Sequence, residues 1–505
     1  MNIKQQTQQI DFSGHFEQLF DILYEHYDSD QIFMMDSASG PSVDRQNNII
    51  GLFPQLDILI KGETLEIRSE DKNLESLIKT KLSDFFDKGS KSYILPEDVR
   101  FSEIFSRIKS VFEVTSSSNK PIPSFTNGLV GYFGYEYLHH IEKVERNAAI
   151  EDTIPDVHLC YYSCLLHFTE KNSQISLFSN NINQRAQQCF ENLLTIFSST
   201  DHCKQLVQPH FNFTNESDDK LEKFQVFETK ENYFKKVAKA KQYIKAGDIF
   251  QVQLGFRFSA RMNLNIKNTY KALRESSPSP YMFLWKRDNV SLIGNSPELQ
   301  LKIQSGDITI RPIAGTSKGK GTVETREKVI KMLSESPKEN AEHVMLVDLA
   351  RNDVGRVSKV GTVNVEKLMD IEEYSNVFHL TSTVTGELLD NIDSMVAFED
   401  TFPAGTLTGA PKIRAMEIIK EIEDYERGPY GGAFGFFDFN GDLVSSITIR
   451  TIITQNDIVF FQASAGIVAD SVPEDEWNEV LFKTQTLRKI INSIEDPRFN
   501  LSLER

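Results

Sequence analysis

The segment from Phe402 to Arg414 reads Phe-Pro-Ala-Gly-Thr-Leu-Thr-Gly-Ala-Pro-Lys-Ile-Arg and has the residue types of an anion receptor. It precedes apolar residues at helical spacing, so Pro411 is expected in the first turn of a helix. A glycine-rich turn at a helix start points free backbone N–H groups outward, and Thr406, Thr408 and Lys412 add hydroxyls and a positive charge. The pattern favours an anion site over a simple turn. The missing Gly-Lys-Ser/Thr ending excludes a nucleotide P-loop, so a carboxylate suits the loop as well as phosphate does.

Two acidic segments with helical spacing are candidates for binding a divalent cation. Glu339 and Glu342 share one face of the first, and Glu476 and Glu479 share one face of the second, with Lys483 one turn further on. Mg²⁺ is usually held by carboxylates that meet from separate elements over a few waters. Carboxylates at this spacing also lie in solvent beside a lysine partner. Spacing alone leaves both interpretations open.

Three single residues could also do chemistry. Glu298 follows an apolar run that predicts a strand, where it is either a general acid with a raised pKa or an acid at a helix start. His379 has apolar neighbours, which is typical of a buried structural histidine. Arg450 alternates with apolar residues in a predicted strand, and it needs an anion if it faces inward. Periodicity does not decide which way Arg450 faces.

The bulk properties limit the class of protein. A net charge of −17 over 505 residues lacks the basic footprint that nucleic-acid binding requires. The polar start is not a signal peptide, and no apolar run reaches membrane-spanning length. The four cysteines contain no Cys-x-x-Cys pair, which favours reduced thiols over disulfides or a zinc site. We therefore expect a cytoplasmic protein. The cysteines are Cys160, Cys164, Cys189 and Cys203.

Helices and strands alternate irregularly along the chain. Helices are predicted near 233–246, where Gly247 ends the pattern, and near 338–350, 411–423 and 474–492. Short strand-like runs lie between them without a repeating βαβ rhythm, so a mixed α+β architecture is favoured over a doubly wound parallel sheet. A polar stretch from Pro209 to Lys220 interrupts the apolar pattern and indicates a linker.

The ordered set of motifs resembles the chorismate-utilising enzymes, and among them the large subunit of anthranilate synthases. The order is the family's, and so many matches in sequence do not arise by chance. The matching segments are Met34–Ser37, Gly128–Glu136, Arg311–Thr316, Glu342–Asp353, Phe378–Leu380, Gly405–Lys412, Tyr430–Ala433, Ile449–Thr451 and Gly466–Ser471.

The resemblance implies a fold and an activity. It implies mixed and antiparallel sheets in a layered core surrounded by helices, with an N-terminal regulatory domain over 10–205, a linker over 206–228 and a chorismate-binding catalytic domain over 229–495. It also implies a Mg²⁺-dependent lyase that converts chorismate and ammonia to anthranilate and pyruvate, the first committed step of tryptophan biosynthesis. The alternatives are an aminodeoxychorismate synthase of the folate pathway, a 2-amino-2-deoxyisochorismate synthase, or an inactive tryptophan-binding regulator.

The resemblance assigns roles to particular residues. It implies that Glu342 and Glu479 are the Mg²⁺ ligands, that Glu298 is the general acid and that His379 lies near the reacting ring. Gln251 and Thr406 complete the catalytic set. The residues implied to bind chorismate are Gly315, Thr316, Tyr430, Arg450, Ser464, Ala465, Gly466 and Lys483.

Two positions distinguish members of the family. Gln251 lies where water-adding members carry a lysine base, and a neutral amide does not activate water in that way. Ala314 lies where many aminodeoxychorismate synthases carry a nucleophilic lysine, and a methyl group forms no covalent adduct. Both residues favour direct attack by ammonia. Some aminodeoxychorismate synthases also lack that lysine, so the alternative stays open.

The resemblance further implies partners. None of the four cysteines has the glycine neighbours of a glutamine amidotransferase nucleophile. A separate amidotransferase subunit, anthranilate synthase component II, is therefore expected in a hetero-oligomer such as a heterotetramer. A tryptophan feedback site is implied at Ser37, Pro280, Tyr281 and Met282.

Three features depart from the family pattern. Met34-Met-Asp-Ser37 replaces the commoner Leu-Leu-Glu-Ser, and Ser464 replaces a usual glycine. The segment after Thr316 also differs from the usual Pro-Arg-Gly ending.

Overall fold

A computed structural model describes residues 3–41, 48–85, 93–96, 99–116, 123–147, 154–199, 221–318, 323–374 and 377–494. Residues 206–220 of the predicted linker, Cys203 and the last residue of the predicted catalytic domain lie outside this range. Among the described residues, no helix is both long enough and apolar enough to cross a membrane.

The strands are β1 (Ile3–Asp11), β2 (Ile32–Asp36), β3 (Asn48–Lys61), β4 (Thr64–Arg68), β5 (Tyr93–Ile94), β6 (Val114–Ser116), β7 (Gly128–Phe133), β8 (Val157–Thr169), β9 (Gln174–Asn181), β10 (Gln225–Val226), β11 (Gln251–Arg261), β12 (Tyr281–Arg287), β13 (Val290–Ser296), β14 (Leu299–Gln304), β15 (Asp307–Ile310), β16 (Ile313–Lys318), β17 (Asn364–Tyr374), β18 (Val377–Glu387), β19 (Gly409–Ala410), β20 (Ala433–Asp438), β21 (Leu443–Ile447), β22 (Thr451–Gln455) and β23 (Ile458–Ile467).

The α-helices are α1 (Phe16–His26), α2 (Lys72–Lys81), α3 (Phe101–Lys109), α4 (Gln184–Ser199), α5 (Lys230–Ala246), α6 (Ile266–Ser276), α7 (Val323–Glu335), α8 (Pro337–Val357), α9 (Ser394–Thr401), α10 (Lys412–Ile422) and α11 (Pro473–Ile494).

Two sheet arms extend from the paired long strands β3 and β8. One arm runs from β3 through β2, β12, β13, β22 and β23 to β11. The other runs from β8 through β7, β20, β21, β14 and β15 to β18, which also pairs with β16 and β17. These pairings are antiparallel. The far ends of the arms, β11 with β23 and β16 with β18, carry much of the candidate site.

An aromatic core lies between the two arms. Phe283 and Trp285 from β12 meet Phe434 from β20 and Tyr132 from β7, and the Phe283 and Phe434 ring centres are 4.2 Å apart. Helices α5, α6 and α11 pack on the outer face of the first arm, and α2, α3, α8 and α9 pack on the outer face of the second. The layers are therefore helix, sheet, sheet and helix, which confirms the α+β prediction with a layered antiparallel core.

The predicted helices are present, with shifted ends. Helix α5 ends before Gly247, whose φ of +85° makes it a left-handed C-cap. Helix α8 continues to Val357, past the predicted end near residue 350, because Val354 and Val357 bury its last turns in the core. Pro411 was predicted in the first turn of α10. It is instead the N-cap of that helix and lies one residue before the first turn.

Strands from both sides of the 206–228 segment build the arms. Strand β2 pairs with β12, and β7 pairs with β20. The regions over 10–205 and 229–495 thus share the sheet, and their division into two domains stays a prediction.

Candidate active site

Acidic residues from two helices converge near the end of β11. Glu342 of α8 accepts a hydrogen bond from Gln251 Nε2 at 3.0 Å. Burial raises the pKa of Glu342, and the negative charges of Glu339 and Glu479 raise it further. Glu479 of α11 pairs with Lys483 at 2.7 Å. The two predicted metal ligands therefore act on each other electrostatically, although no group of three or more His, Cys, Asp or Glu among the described residues has a metal-binding arrangement.

Glu298 lies between β13 and β14 with 6% of its surface exposed. Burial raises the pKa of its carboxyl to about 8, while the Thr406 hydroxyl and the charges of Lys483 and Arg450 offset part of the rise. Because Lys483 acts on both Glu298 and Glu342, the two groups belong to one site. Near neutral pH the Glu298 carboxyl holds its proton, as a general acid must.

Arg450 lies at the turn between β21 and β22 with a φ of +49°, an unfavourable conformation for a residue with a Cβ. Burial lowers the pKa of its guanidinium, against the opposing charge of Glu298. Its side chain makes no hydrogen bond or salt bridge to the residues that the structure describes. A strained, half-buried guanidinium without an anion is suited to binding a carboxylate.

A chain of hydroxyls runs along the end of β23. The hydroxyls of Tyr430 and Ser464 are 2.8 Å apart, and Ser464 Oγ donates to Gln253 Oε1 at 3.1 Å. Burial raises the pKa of Tyr430 to about 12, so its hydroxyl stays protonated. Lys483 Nζ donates to the Ser464 carbonyl at 3.0 Å and joins α11 to this strand. The hydroxyl of Ser464 is thus engaged by its neighbours.

Gly466 and Ala465 pair with Gln253 and Leu254 of β11. A Cβ on Gly466 would come within 2.3 Å of Gln251 Nε2, so a larger residue there would displace that amide from its present position.

His379 sits in β18 between β16 and β17, opposite Thr316 and Glu372, and only 2% of it is exposed. Ala314 lies on the same ladder opposite Leu380, the residue that follows this histidine. The backbone of Gly315 and Thr316 belongs to β16, whereas the side chain of Thr316 lies outside the described part of the structure.

The anion site predicted from the 402–414 loop is wrong for two of its three side chains. Lys412 Nζ donates to Asp353 Oδ2 at 3.0 Å and to the Thr401 carbonyl at 2.9 Å. Thr408 is fully buried, and its hydroxyl lies 3.2 Å from the Ala404 carbonyl. Both side chains therefore hold the loop instead of a ligand. Thr406 remains, next to Glu298.

The four residues predicted for a feedback site line one small cavity: Ser37, Pro280, Tyr281 and Met282. Ser37 Oγ donates to the Pro280 carbonyl at 2.9 Å. Asp36 also lines the cavity, and its Oδ2 accepts from the Tyr270 hydroxyl at 2.8 Å. Its Oδ1 is buried without a hydrogen-bond partner among the described residues.

Gln253 and Asp353 are residues of the site that were not predicted from the sequence. Gln253 lies two residues after Gln251 on a buried strand and so shares its face, a signal that was present in the sequence. Asp353 lies eleven residues after Glu342 on α8, which again is the same helical face. Its partner Lys412 had been interpreted as a ligand.

Known proteins resemble this chain over most of its length. The family model for chorismate binding enzymes matches residues 72–489. Anthranilate synthase component 1 of Acetivibrio thermocellus is 41% identical over 403 residues, covering 77% of this chain and 80% of that protein. The protein of the same name from Geobacillus stearothermophilus is 34% identical over 487 residues, covering 92% and 89%.

Solved structures agree with this comparison. Anthranilate synthase component I from Streptococcus pneumoniae superposes with a TM-score of 0.69 at 29% identity, covering 88% of this chain and 93% of that one. The menaquinone-specific isochorismate synthase of Escherichia coli superposes with a TM-score of 0.65 at 14% identity, covering 97% and 95%, and shares the fold.

Proposed function

This chain belongs to the chorismate-binding enzymes, in the group of anthranilate synthase component 1, and we propose that it converts chorismate and ammonia to anthranilate and pyruvate. The contacts of Gln251 are the observation that supports ammonia, and not water, as the nucleophile. Its amide donates to Glu342 and packs against Gly466, so the position holds a neutral donor and no base that could activate water. Ammonia needs no such base because its lone pair attacks directly.

The residues present fit a divalent cation. Glu342 and Glu479 come from separate helices, and burial raises the pKa of Glu342, with a further rise from the charges of Glu339 and Glu479. Oxygen ligands of this kind suit Mg²⁺, which Glu342 and Glu479 would hold. At that place Mg²⁺ would supply positive charge to neutralise the ring carboxylate of chorismate.

The remaining side chains hold the substrate and move a proton. Arg450 and the Tyr430 hydroxyl bind the enolpyruvyl carboxylate, with the backbone of Ala465 and Gly466 beside them. Glu298 donates its proton to the C4 hydroxyl, which leaves as water while ammonia bonds to C2. Thr406 orients the Glu298 carboxyl.

The second half of the reaction makes the ring aromatic. The C2 proton and the enolpyruvyl group leave, and the latter is released as pyruvate. We place His379 beside the reacting ring, with Gly315, Thr316 and Lys483 completing the lining. Ser464 acts through Tyr430, whose hydroxyl it contacts.

We also propose partners and a location. Ammonia comes from a glutamine amidotransferase subunit in a hetero-oligomer, a heterotetramer in the simplest arrangement. The catalytic domain spans 229–495, and the domain over 10–205 contributes to a regulatory site. Cys160, Cys164 and Cys189 are buried free thiols, as suits a cytoplasmic enzyme.

Tryptophan is the proposed feedback inhibitor in the cavity at Ser37. The unpartnered Asp36 Oδ1 suits the ammonium group of an amino acid, and Pro280, Tyr281 and Met282 offer an apolar wall for an indole ring. Asp36 supplies this carboxylate where relatives usually carry glutamate.

Purified chain incubated with chorismate, Mg²⁺ and ammonium at alkaline pH tests the proposal. Fluorescent anthranilate should accumulate, and EDTA should stop it. Formation of amino-deoxychorismate in place of anthranilate would show that the chain catalyses the folate-type reaction. Formation of 2-amino-2-deoxyisochorismate without pyruvate would show that the second half of the reaction is absent. No turnover at all would reject the enzymatic function.

A further inference from the structure

Arg427 is a buried arginine that no step above uses. Its Nε and Nη2 donate to the two carboxylate oxygens of Glu423 at 2.7 and 2.8 Å. Its Nη1 donates to the Leu407 carbonyl at 2.8 Å, and Nη2 also donates to the Gln253 carbonyl at 2.9 Å. The guanidinium lies 4.5 Å from the ring centre of Tyr135. Only 1% of the residue is exposed, so these contacts are shielded from solvent.

Each carbonyl partner belongs to a segment of the proposed active site. Leu407 directly follows Thr406, which lies next to Glu298. Gln253 accepts the Ser464 hydroxyl, and Ser464 contacts Tyr430. Two segments that are distant in sequence are thus tied to one planar group.

The carboxylate of Glu423 stabilises the buried guanidinium of Arg427. Burial alone would lower the pKa of Arg427, yet the Glu423 carboxylate holds that pKa above its ordinary value. Glu423 Oε1 also accepts the backbone N–H of Gly255 at 3.2 Å, two residues after Gln253 on β11. The planar fork of arginine spreads its donors over three nitrogens and binds Glu423 through two of them, a geometry that the single nitrogen of lysine does not reproduce.

We infer that Arg427, held by Glu423, is a positioning residue that sets the placement of Thr406 and Tyr430 for chorismate turnover. This inference rests on the proposed function. The residue itself touches no reacting atom and acts through Leu407 and Gln253.

Arg257 provides a matched control. It is also buried, with 8% exposed, and its Nη2 donates to the carbonyls of Glu426 and Arg427 at 2.8 and 3.1 Å. It lies over the Phe460 ring at 4.7 Å. Arg257 therefore holds the same chain segment as Arg427 but makes no hydrogen bond to Leu407 or Gln253. A general loss of packing would affect substitutions of Arg257 and of Arg427 alike.

The test compares R427K, R257K and E423Q with the wild-type chain, with kinetics expressed per folded enzyme. We expect R427K and E423Q to raise the KM for chorismate and lower kcat, together by about tenfold or more in kcat/KM. We expect R257K to lower thermal stability but to stay within about twofold in kcat/KM. Chorismate consumption is the measured rate, so the comparison holds whichever product the wild-type chain forms.

The pH profile separates positioning from packing. Release of Thr406 from Glu298 removes a hydroxyl that favours the charged carboxylate, so the alkaline limb of kcat should move to higher pH in R427K. The charges of Lys483 and Arg450 also lower the pKa of Glu298, and both residues are unaltered in R427K and R257K. Equal kinetics for R427K and R257K, or an unshifted limb in R427K, would overturn the inference. So would a failure of both R427K and E423Q to fold, since Arg427 would then be a requirement of the fold alone.

Discussion

Glu298→Gln replaces a buried acid by an amide of nearly the same shape and removes its proton. With a pKa of about 8, about nine-tenths of the Glu298 carboxyls are protonated at pH 7, whereas an ordinary glutamate with pKa 4.5 would be protonated in about 0.3% of molecules. Loss of a positioned general acid typically costs about 10²–10⁴-fold in rate. We therefore expect E298Q to lower kcat by that factor and to change KM little.

The assay follows anthranilate formation across pH 8 with unprotonated ammonia held constant, because ammonia also titrates in this range. Wild-type kcat should fall above pH 8, tenfold per unit, and the E298Q rate should lose this dependence. Glu399→Gln is the matched control, since Glu399 is also a buried carboxyl whose pKa is raised by burial, and it hydrogen-bonds Ser102 and Tyr137 away from the site. An E298Q rate equal to that of wild type would refute the role of Glu298.

The same carboxyl has a stability signature of defined sign. Its pKa is raised on folding, so the folded chain retains a proton that the unfolded chain releases above pH 4.5. The free energy of unfolding that depends on Glu298 therefore falls as pH rises from about 4.5 to about 8. E298Q should melt at a higher temperature than wild type above pH 8 and show little difference in acid. A melting temperature of E298Q below that of wild type at alkaline pH would contradict a raised pKa of the Glu298 carboxyl.

Four further substitutions and one control probe the remainder of the proposal. Glu342→Gln should abolish Mg²⁺-dependent turnover. Asp348→Asn, on the exposed face of the same helix, should leave that turnover unchanged. An active E342Q would show that Glu342 is not a metal ligand. Arg450→Lys should raise the KM for chorismate by about 10–100-fold through loss of charged hydrogen bonds, and an unchanged KM measured by steady-state kinetics would remove it from the binding set. Ser37→Ala and Asp36→Asn should each weaken inhibition by added tryptophan with basal activity retained, and inhibition curves identical to wild type would place the feedback site elsewhere.

The sequence was sufficient for the class of fold because its signals are local. Helical spacing and the C-cap at Gly247 predicted α5, and the absence of a βαβ rhythm predicted a mixed α+β architecture. The two arms could not be predicted in this way, because pairs such as β7 with β20 join residues about 300 positions apart.

Individual side chains of the site were harder to predict than its motifs. Lys412 and Thr408 have the residue types of an anion receptor, but Asp353 and a backbone carbonyl satisfy them. Which partner a buried polar group finds depends on tertiary contacts. For the same reason the direction in which Arg450 faces was undetermined, although its position in the motif was visible.

Identification of the product of wild-type turnover tests the central claim most directly. Chorismate, Mg²⁺ and nitrogen-15-labelled ammonium are incubated with the purified chain, and the products are separated and measured by mass and NMR. We predict labelled nitrogen on the ring carbon next to the carboxylate, with one pyruvate released per anthranilate. Label on the ring carbon opposite the carboxylate, or an aminated ring that retains its enolpyruvyl group, would contradict the proposed reaction.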